Sequence, residues 1–170
     1  MKAMSKFLFS VIAVTILCLW SCKNDDNSPE TISFIFEFSS FGGPVPGDVS
    51  CGQPPFVLVR QEGEGVDELL GDFKFVSQFC NNLNTGEYFG GPSAFGYFEA
   101  ENGDRLNMVA VNGQILPSTK QGYDLMFQDE IRFESGTGQF EGVVGTGMTD
   151  SYVILALGRT DHVWTGTLTF

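Results

Sequence analysis

Two carboxylates stand where apolar side chains are expected. In "YDLMFQDEIRF", Tyr123, Leu125, Phe127, Ile131 and Phe133 share one face of a period-two pattern, and Asp129 sits among them. In "FGYFEAE", Glu99 ends a stripe begun by Phe95 and Tyr97. If these faces line an interior, burial raises the carboxyl pKa. An acid set among aromatics then suits general acid–base catalysis or the orientation of a bound ligand. A bulge that shifts the register, or a solvated rim position, would make either residue structural instead. Asp129 and Glu99 are the candidate catalytic residues on these terms.

Other reactive types are scarce. His162 is the single histidine, and its neighbour Asp161 is adjacent in sequence, so in a strand their side chains point to opposite faces. No G-x-S-x-G elbow accompanies it, and it reads as a loop histidine at the start of a strand. Cys51 and Cys80 have no basic neighbour and no C-x-x-C spacing, which points away from reactive thiols and toward a disulfide. Closing that loop stabilises the fold by roughly 3–4 kcal/mol in the chain-entropy treatment. With one histidine and these cysteines paired, no transition-metal site is expected. No D-x-[DN]-x-[DN]-G loop points to calcium, and no cofactor is implied. The net charge of −12 excludes electrostatic binding of nucleic acid, which needs Lys and Arg at phosphates.

The stretch "SGTGQFEGVVGTG", Ser135 to Gly147, holds five glycines and invites a phosphate-loop reading. It has no Lys and neither G-x-x-x-x-G-K-[ST] nor G-x-G-x-x-G, and no helical pattern follows to hold a phosphate at its N-terminus. It reads as architecture. Gly136 and Gly138 supply the positive φ of a corner, Phe140 plugs the core, and Gly142, Gly145 and Gly147 allow a bend or close strand approach.

The elements around these residues are strands. "TISFIFEF" puts Ile32, Phe34, Phe36 and Phe38 on one face, and "FKFVSQF" does the same for Phe73, Phe75 and Phe79. "SYVILALG" and "HVWTGTLTF" are rich in β-branched and aromatic residues, and no long segment has helical spacing. Asn102–Gly103, between two such runs, signals a two-residue hairpin, and Asn112–Gly113 signals another turn. The runs number about eight, enough to close a small antiparallel barrel, with the fifteen phenylalanines beyond residue 21 filling it.

The chain opens with Lys2 and Lys6, then an uncharged, mostly apolar run from Phe7 to Trp20. That run is shorter than the about 20 residues of a membrane span and fits a secretory leader. "LWSC", Leu19 to Cys22, resembles a bacterial lipobox, which implies cleavage after residue 21 and lipidation of Cys22. Multiple acyl chains anchor a protein stably. Residues 22–30 then form the lipidated cysteine and a polar tether, and residues 31–170 the barrel domain. Cleavage removes two lysines and no acid, so −12 becomes −14. Asp25 and Asp26, just after the lipid cysteine, resemble surface-export tethers. The expected location is the cell envelope, on the outer membrane and surface-exposed, with the membrane contacted through the lipid anchor.

"GTGQFEGVVGTG" also resembles the G-T-G-x-[FY]-x-G-A-x-G signature of allene-oxide-cyclase-like and dirigent-like barrels, which include secreted bacterial members. "GEGVDELLGDFKF" followed by Cys80, "EAENGDRL" before a strand and a terminal "WTGTLTF" fall in the same order, so the resemblance covers roughly residues 56–170. It implies an all-β, calycin-like antiparallel barrel of about eight strands with an apolar interior. It does not bring the cyclase reaction, because the cyclase's polar catalytic residues have no counterparts here and the chain ends on a strand. The expectation is a lipoprotein whose water-soluble barrel binds a small apolar ligand or an envelope protein partner without catalysis. The alternatives are an isomerase or cyclase using Asp129 or Glu99, and an integral outer-membrane barrel, suggested by the terminal Phe170.

Overall fold

The computed structural model describes residues 28–91 and 93–170. Cys22, the leader and most of the tether lie outside the described residues. Thirteen β-segments follow in chain order: β1 Thr31–Pro44, β2 Phe56–Asp67, β3 Gly71–Asn82, β4 Glu87–Phe89, β5 Phe95–Glu99, β6 Arg105–Ala110, β7 Gly113–Gln114, β8 Leu116–Pro117, β9 Leu125–Phe127, β10 Glu130–Gly136, β11 Val144–Met148, β12 Ser151–Ile154 and β13 Arg159–Thr169. They make eight passes of the chain, because several passes are interrupted. Neighbours follow the antiparallel order β1, β2, β3, β5, β6, β10, β11, β13, and β13 closes on β1 from Thr31↔Thr169 to Phe41↔Arg159. The fold is a closed eight-stranded barrel. The pairing of β13 with β1 removes the two terminal edges an open sheet would have.

Alternation places the core. In β1, Phe34, Phe36 and Phe38 point inward, and in β13 Thr160, His162, Trp164 and Leu168 do so. Phe36, Phe75, Phe98 and Phe133 fill the lower half of the barrel, and Phe140 closes its end from the 3-10 turn Gly138–Phe140. Phe98 lies within 5.0–5.7 Å, centroid to centroid, of Phe36, Phe38, Phe73, Phe75 and Trp164, in the tilted and edge-on geometries that aromatic rings prefer. The phenylalanines do not all serve this core. Phe41, Phe95 and Phe170 are exposed. The outward positions of β1, β2, β3 and β10 carry Glu37, Glu62, Glu64, Lys74, Arg132 and Glu134. Ile35, Val66, Val144, Met148 and Val163 are exposed on the same outer surface.

The upper half differs. Its inward side chains include Ser40, Gln61, Asn81, Tyr88, Ser151 and His162, all buried. Among the described residues, every strand, the core and the disulfide lie within residues 31–170.

The glycine stretch is architectural, with one correction. The positive φ of its corner falls on Ser135 (75°), Gly138 (56°) and Gly142 (81°), not on Gly136. Gly136 is needed for proximity instead, since a Cβ there would strike the Arg105 carbonyl. The Asp104 carboxylate accepts the Gln139 N–H at 3.0 Å, so an acid occupies the place a phosphate would need. The Asn102–Gly103 hairpin also turns over five residues rather than two. Ala100 N–H bonds Asp104 O at 2.8 Å, and β5 pairs β6 from Glu99↔Arg105 onward.

Candidate functional site

The fourth pass of the barrel wall is broken. β4 pairs β3 through Cys80↔Phe89 and β5 resumes the pairing only at Gln78↔Phe95, so the ladder is interrupted between them. Beneath this gap lies a cavity of about 40 Å3. Its floor is Trp164, Met108 and Ile131, and its roof is Phe127, Tyr88 and Phe79. Gly90 and Phe95 are the exposed members of its wall, so it opens sideways through the gap. Ala94, Val109, Ala110 and Ile115 complete an apolar mouth.

Polar atoms in the wall divide into two groups. Tyr88 OH donates to Asp129 Oδ2 at 2.8 Å. Thr149 Oγ1 donates to Asp129 O at 3.1 Å and accepts from Asp129 N–H at 2.8 Å. Gln78 Nε2 donates to Ser93 O at 2.9 Å. These groups satisfy one another. Ser77 Oγ and Gln61 Oε1 have no partner among the described residues, although Gln61 Nε2 donates to Thr160 Oγ1 at 2.9 Å. Both residues are buried, at 5% and 9% exposure, and both line the cavity.

Asp129 holds the inward row between Phe127 and Ile131. The pairing on either side of it, Ser151↔Phe127 and Met148↔Glu130, is in one register. No slip turns it outward. It is half-buried beside the cavity, and the approach of Tyr88 depends on Gly113, where a Cβ would meet both the Asp129 carboxylate and the Tyr88 hydroxyl. Burial, followed by the adjacent Asp129, raises the Tyr88 pKa far above its ordinary value. The phenol stays protonated, and its one proton is committed to Asp129.

Glu99 lies elsewhere. Gly96, Phe98 and Ala100 take the inward positions, so the Phe95–Tyr97–Glu99 stripe faces out. Glu99 pairs with Arg105 at 2.8 Å, and the Arg105 guanidinium stands 4.3 Å over the Tyr97 ring. The structure therefore does not bring Glu99 and Asp129 to one site.

His162 is an interior residue of β13, not a loop histidine. It stacks on Phe38 at 4.4 Å and hydrogen-bonds Ser40 Oγ through Nε2 and Ser151 Oγ through Nδ1, each at 2.8 Å. Trp164 Nε1 donates to Ser151 Oγ at 2.9 Å. Burial drives its pKa down to about 3, against a smaller upward pull from Asp161. Asp161 points outward and accepts from Ser39 and Tyr123. Ser40, Ser151 and His162 are at most 2% exposed and are not among the residues that line the cavity. Cys51 and Cys80 form the disulfide, with Cα atoms 5.5 Å apart. It tethers the 45–55 loop to β3 beside the gap, where a Cβ at Gly91 would come within 2.9 Å of Cys80 Sγ.

No family model, curated protein or solved structure matches the chain.

Ser77, Gln61 and Tyr88 were not singled out from sequence. Ser77 had a signal: it occupies the same face as Phe73, Phe75 and Phe79 in "FKFVSQF", a polar exception of the kind that drew attention to Asp129. Gln61 and Tyr88 lie in less regular runs, and only the closed barrel shows what they face.

Proposed function

We propose that the protein is a lipid-anchored barrel of the cell envelope that binds a small, mainly apolar ligand without transforming it. The lipobox-like "LWSC" at Leu19–Cys22 supports the anchor, and the glycine signature supports kinship with allene-oxide-cyclase-like barrels. One observation carries the choice of binding over catalysis. The cavity is walled by apolar side chains, and its nearest acid–phenol pair, Asp129 and Tyr88, is closed on itself. Binding sites are typically apolar with a few polar groups that fix orientation, and Ser77 and Gln61 would fill that role.

A second reading, a protein partner, rests on one corner of the barrel. Phe41, Leu155 and Leu157 are 58–61% exposed there, and Gly42 N–H bonds Gly158 O at 3.0 Å to hold the two segments together. Exposed apolar groups of this kind mark interaction surfaces.

Native mass spectrometry of the barrel, exported to an oxidising compartment without its anchor, tests the first reading. A retained apolar molecule supports it; a consistently empty barrel moves the function to the outer surface. Asp129→Asn is expected to leave ligand retention unchanged, and loss of a measurable turnover in that variant would establish the catalytic alternative instead.

A further inference from the structure

Building on the ligand-binding reading, we infer that the side cavity receives the uncharged hydroxyl end of a linear aliphatic chain. Ser77 and Gln61 are buried residues that line the cavity, and neither Ser77 Oγ nor Gln61 Oε1 has a hydrogen-bond partner among the described residues. Buried polar groups are normally satisfied. Here the partner must come from whatever occupies the space. A hydroxyl suits both atoms: it donates to the Gln61 carbonyl oxygen, which only accepts, and exchanges a hydrogen bond with the Ser77 hydroxyl, which does either.

Volume and charge narrow the class. About 40 Å3 is room for about three waters at the 10–15 Å3 each requires. A ligand body of ordinary size needs about 300 Å3 or more, so only a chain terminus enters. The rest of the chain would lie along Ala94, Phe95, Val109 and Ile115 at the apolar mouth. Among the described residues the lining holds no charged side chain, and the carboxylate beside it, Asp129, already accepts from Tyr88. A carboxylate or ammonium end would therefore be desolvated without a counter-ion, which is strongly unfavourable. Without ligand, waters satisfy the two atoms, and a hydroxyl that reproduces their hydrogen bonds displaces them without loss.

The test is titration of the anchor-free barrel with 1-hexanol, hexanoate, hexylamine and n-hexane. It is followed by calorimetry and by the emission of Trp164, which lines the cavity and is the only tryptophan beyond residue 21. The expected result is saturable binding of 1-hexanol at pH 7, with hexanoate and hexylamine at least about tenfold weaker. Ser77→Ala removes the open hydroxyl and should weaken 1-hexanol by about three- to tenfold while leaving n-hexane unaffected or tighter. Its unchanged melting temperature would show that the barrel is intact. If n-hexane or hexanoate binds as well as 1-hexanol, or Ser77→Ala leaves 1-hexanol unchanged, the hydroxyl assignment falls and ligand binding stands. If no probe produces a saturable signal, both fall.

Discussion

His162 should make the barrel acid-sensitive from a pH above the range in which carboxylates titrate. The imidazole is 2% exposed, stacked on Phe38, with a serine hydroxyl on each ring nitrogen. Burial holds its folded pKa near 3, against about 6.5 in the unfolded chain. The folded state therefore refuses a proton that the unfolded state accepts. Stability is full above pH 6.5 and falls as the pH drops from there toward 3. A gap of about 3.5 pH units at about 1.4 kcal/mol each amounts to about 5 kcal/mol, of which about 3 kcal/mol is lost by pH 4.5. A domain of this size has about 5–15 kcal/mol in total, so the effect is decisive. Urea unfolding of the wild type and of His162→Gln at pH 7, 5.5 and 4.5 isolates it, because the carboxylates common to both proteins cancel in the difference. The wild type should lose its advantage by about 1.4 kcal/mol per pH unit below 6.5. Should His162→Gln fail to fold, proton NMR of the single histidine gives the same answer. A ring resonance that titrates with a midpoint above about 5 in the folded protein would refute the burial argument.

Three further outcomes follow from packing and covalent structure. Phe98→Ala removes a ring that is 0% exposed and touches both walls of the core, and should cost about 3–5 kcal/mol in urea unfolding at pH 7. Gly113→Ala drives a methyl group between the Asp129 carboxylate and the Tyr88 hydroxyl; overpacking of this kind costs about 1–3 kcal/mol, and an unchanged melting temperature would refute the close approach of the pair. Replacing Cys51 and Cys80 together by serine opens a loop with a sequence separation of 29. The chain-entropy treatment then expects a loss of roughly 3.5 kcal/mol, measured as a lower urea midpoint that matches the reduced wild type.

Much of the barrel is legible because its strands alternate cleanly. Phe34, Phe36 and Phe38 in β1 and Ile131 and Phe133 in β10 turn inward as period two requires. What the alternation could not show is which of two apolar rows faces in. In β5 the outer row carries the two rings Phe95 and Tyr97, while the inner row opens with Gly96. The reason lies across the sheet. A Cβ at Gly96 would come within 2.8–2.9 Å of the Met108 side chain, so the interior has no space for a larger residue, and the outer rings are covered by Arg60 and Arg105 instead. Glu99 shared the misreading because it belongs to that row. His162 was misplaced by three residues: β13 begins at Arg159, so the histidine falls inside the strand. A strand's first residues carry little periodic signal of their own.

The interruption of the fourth pass explains why the cavity is where it is. A continuous strand between Phe89 and Phe95 would place an inward side chain in the wall and fill the space above Trp164. The interruption does not change which face the flanking residues present. Tyr88 still pairs across Asn81 and Phe98 across Phe75, all four buried. Backbone groups freed by such an interruption must be satisfied elsewhere. Gln78 takes the Ser93 carbonyl; ahead of the gap, where β4 begins, Asn81 Nδ2 donates to the Gly86 and Glu87 carbonyls at 3.1 Å each. The wall is thus held open by side chains of β3, the same strand that carries Ser77 into the cavity and Cys80 into the disulfide. An interruption that merely relieved strain would not need that support. One that keeps a polar atom accessible in an otherwise packed barrel does, which is why a binding function is sought at this gap rather than at the glycine-rich corner.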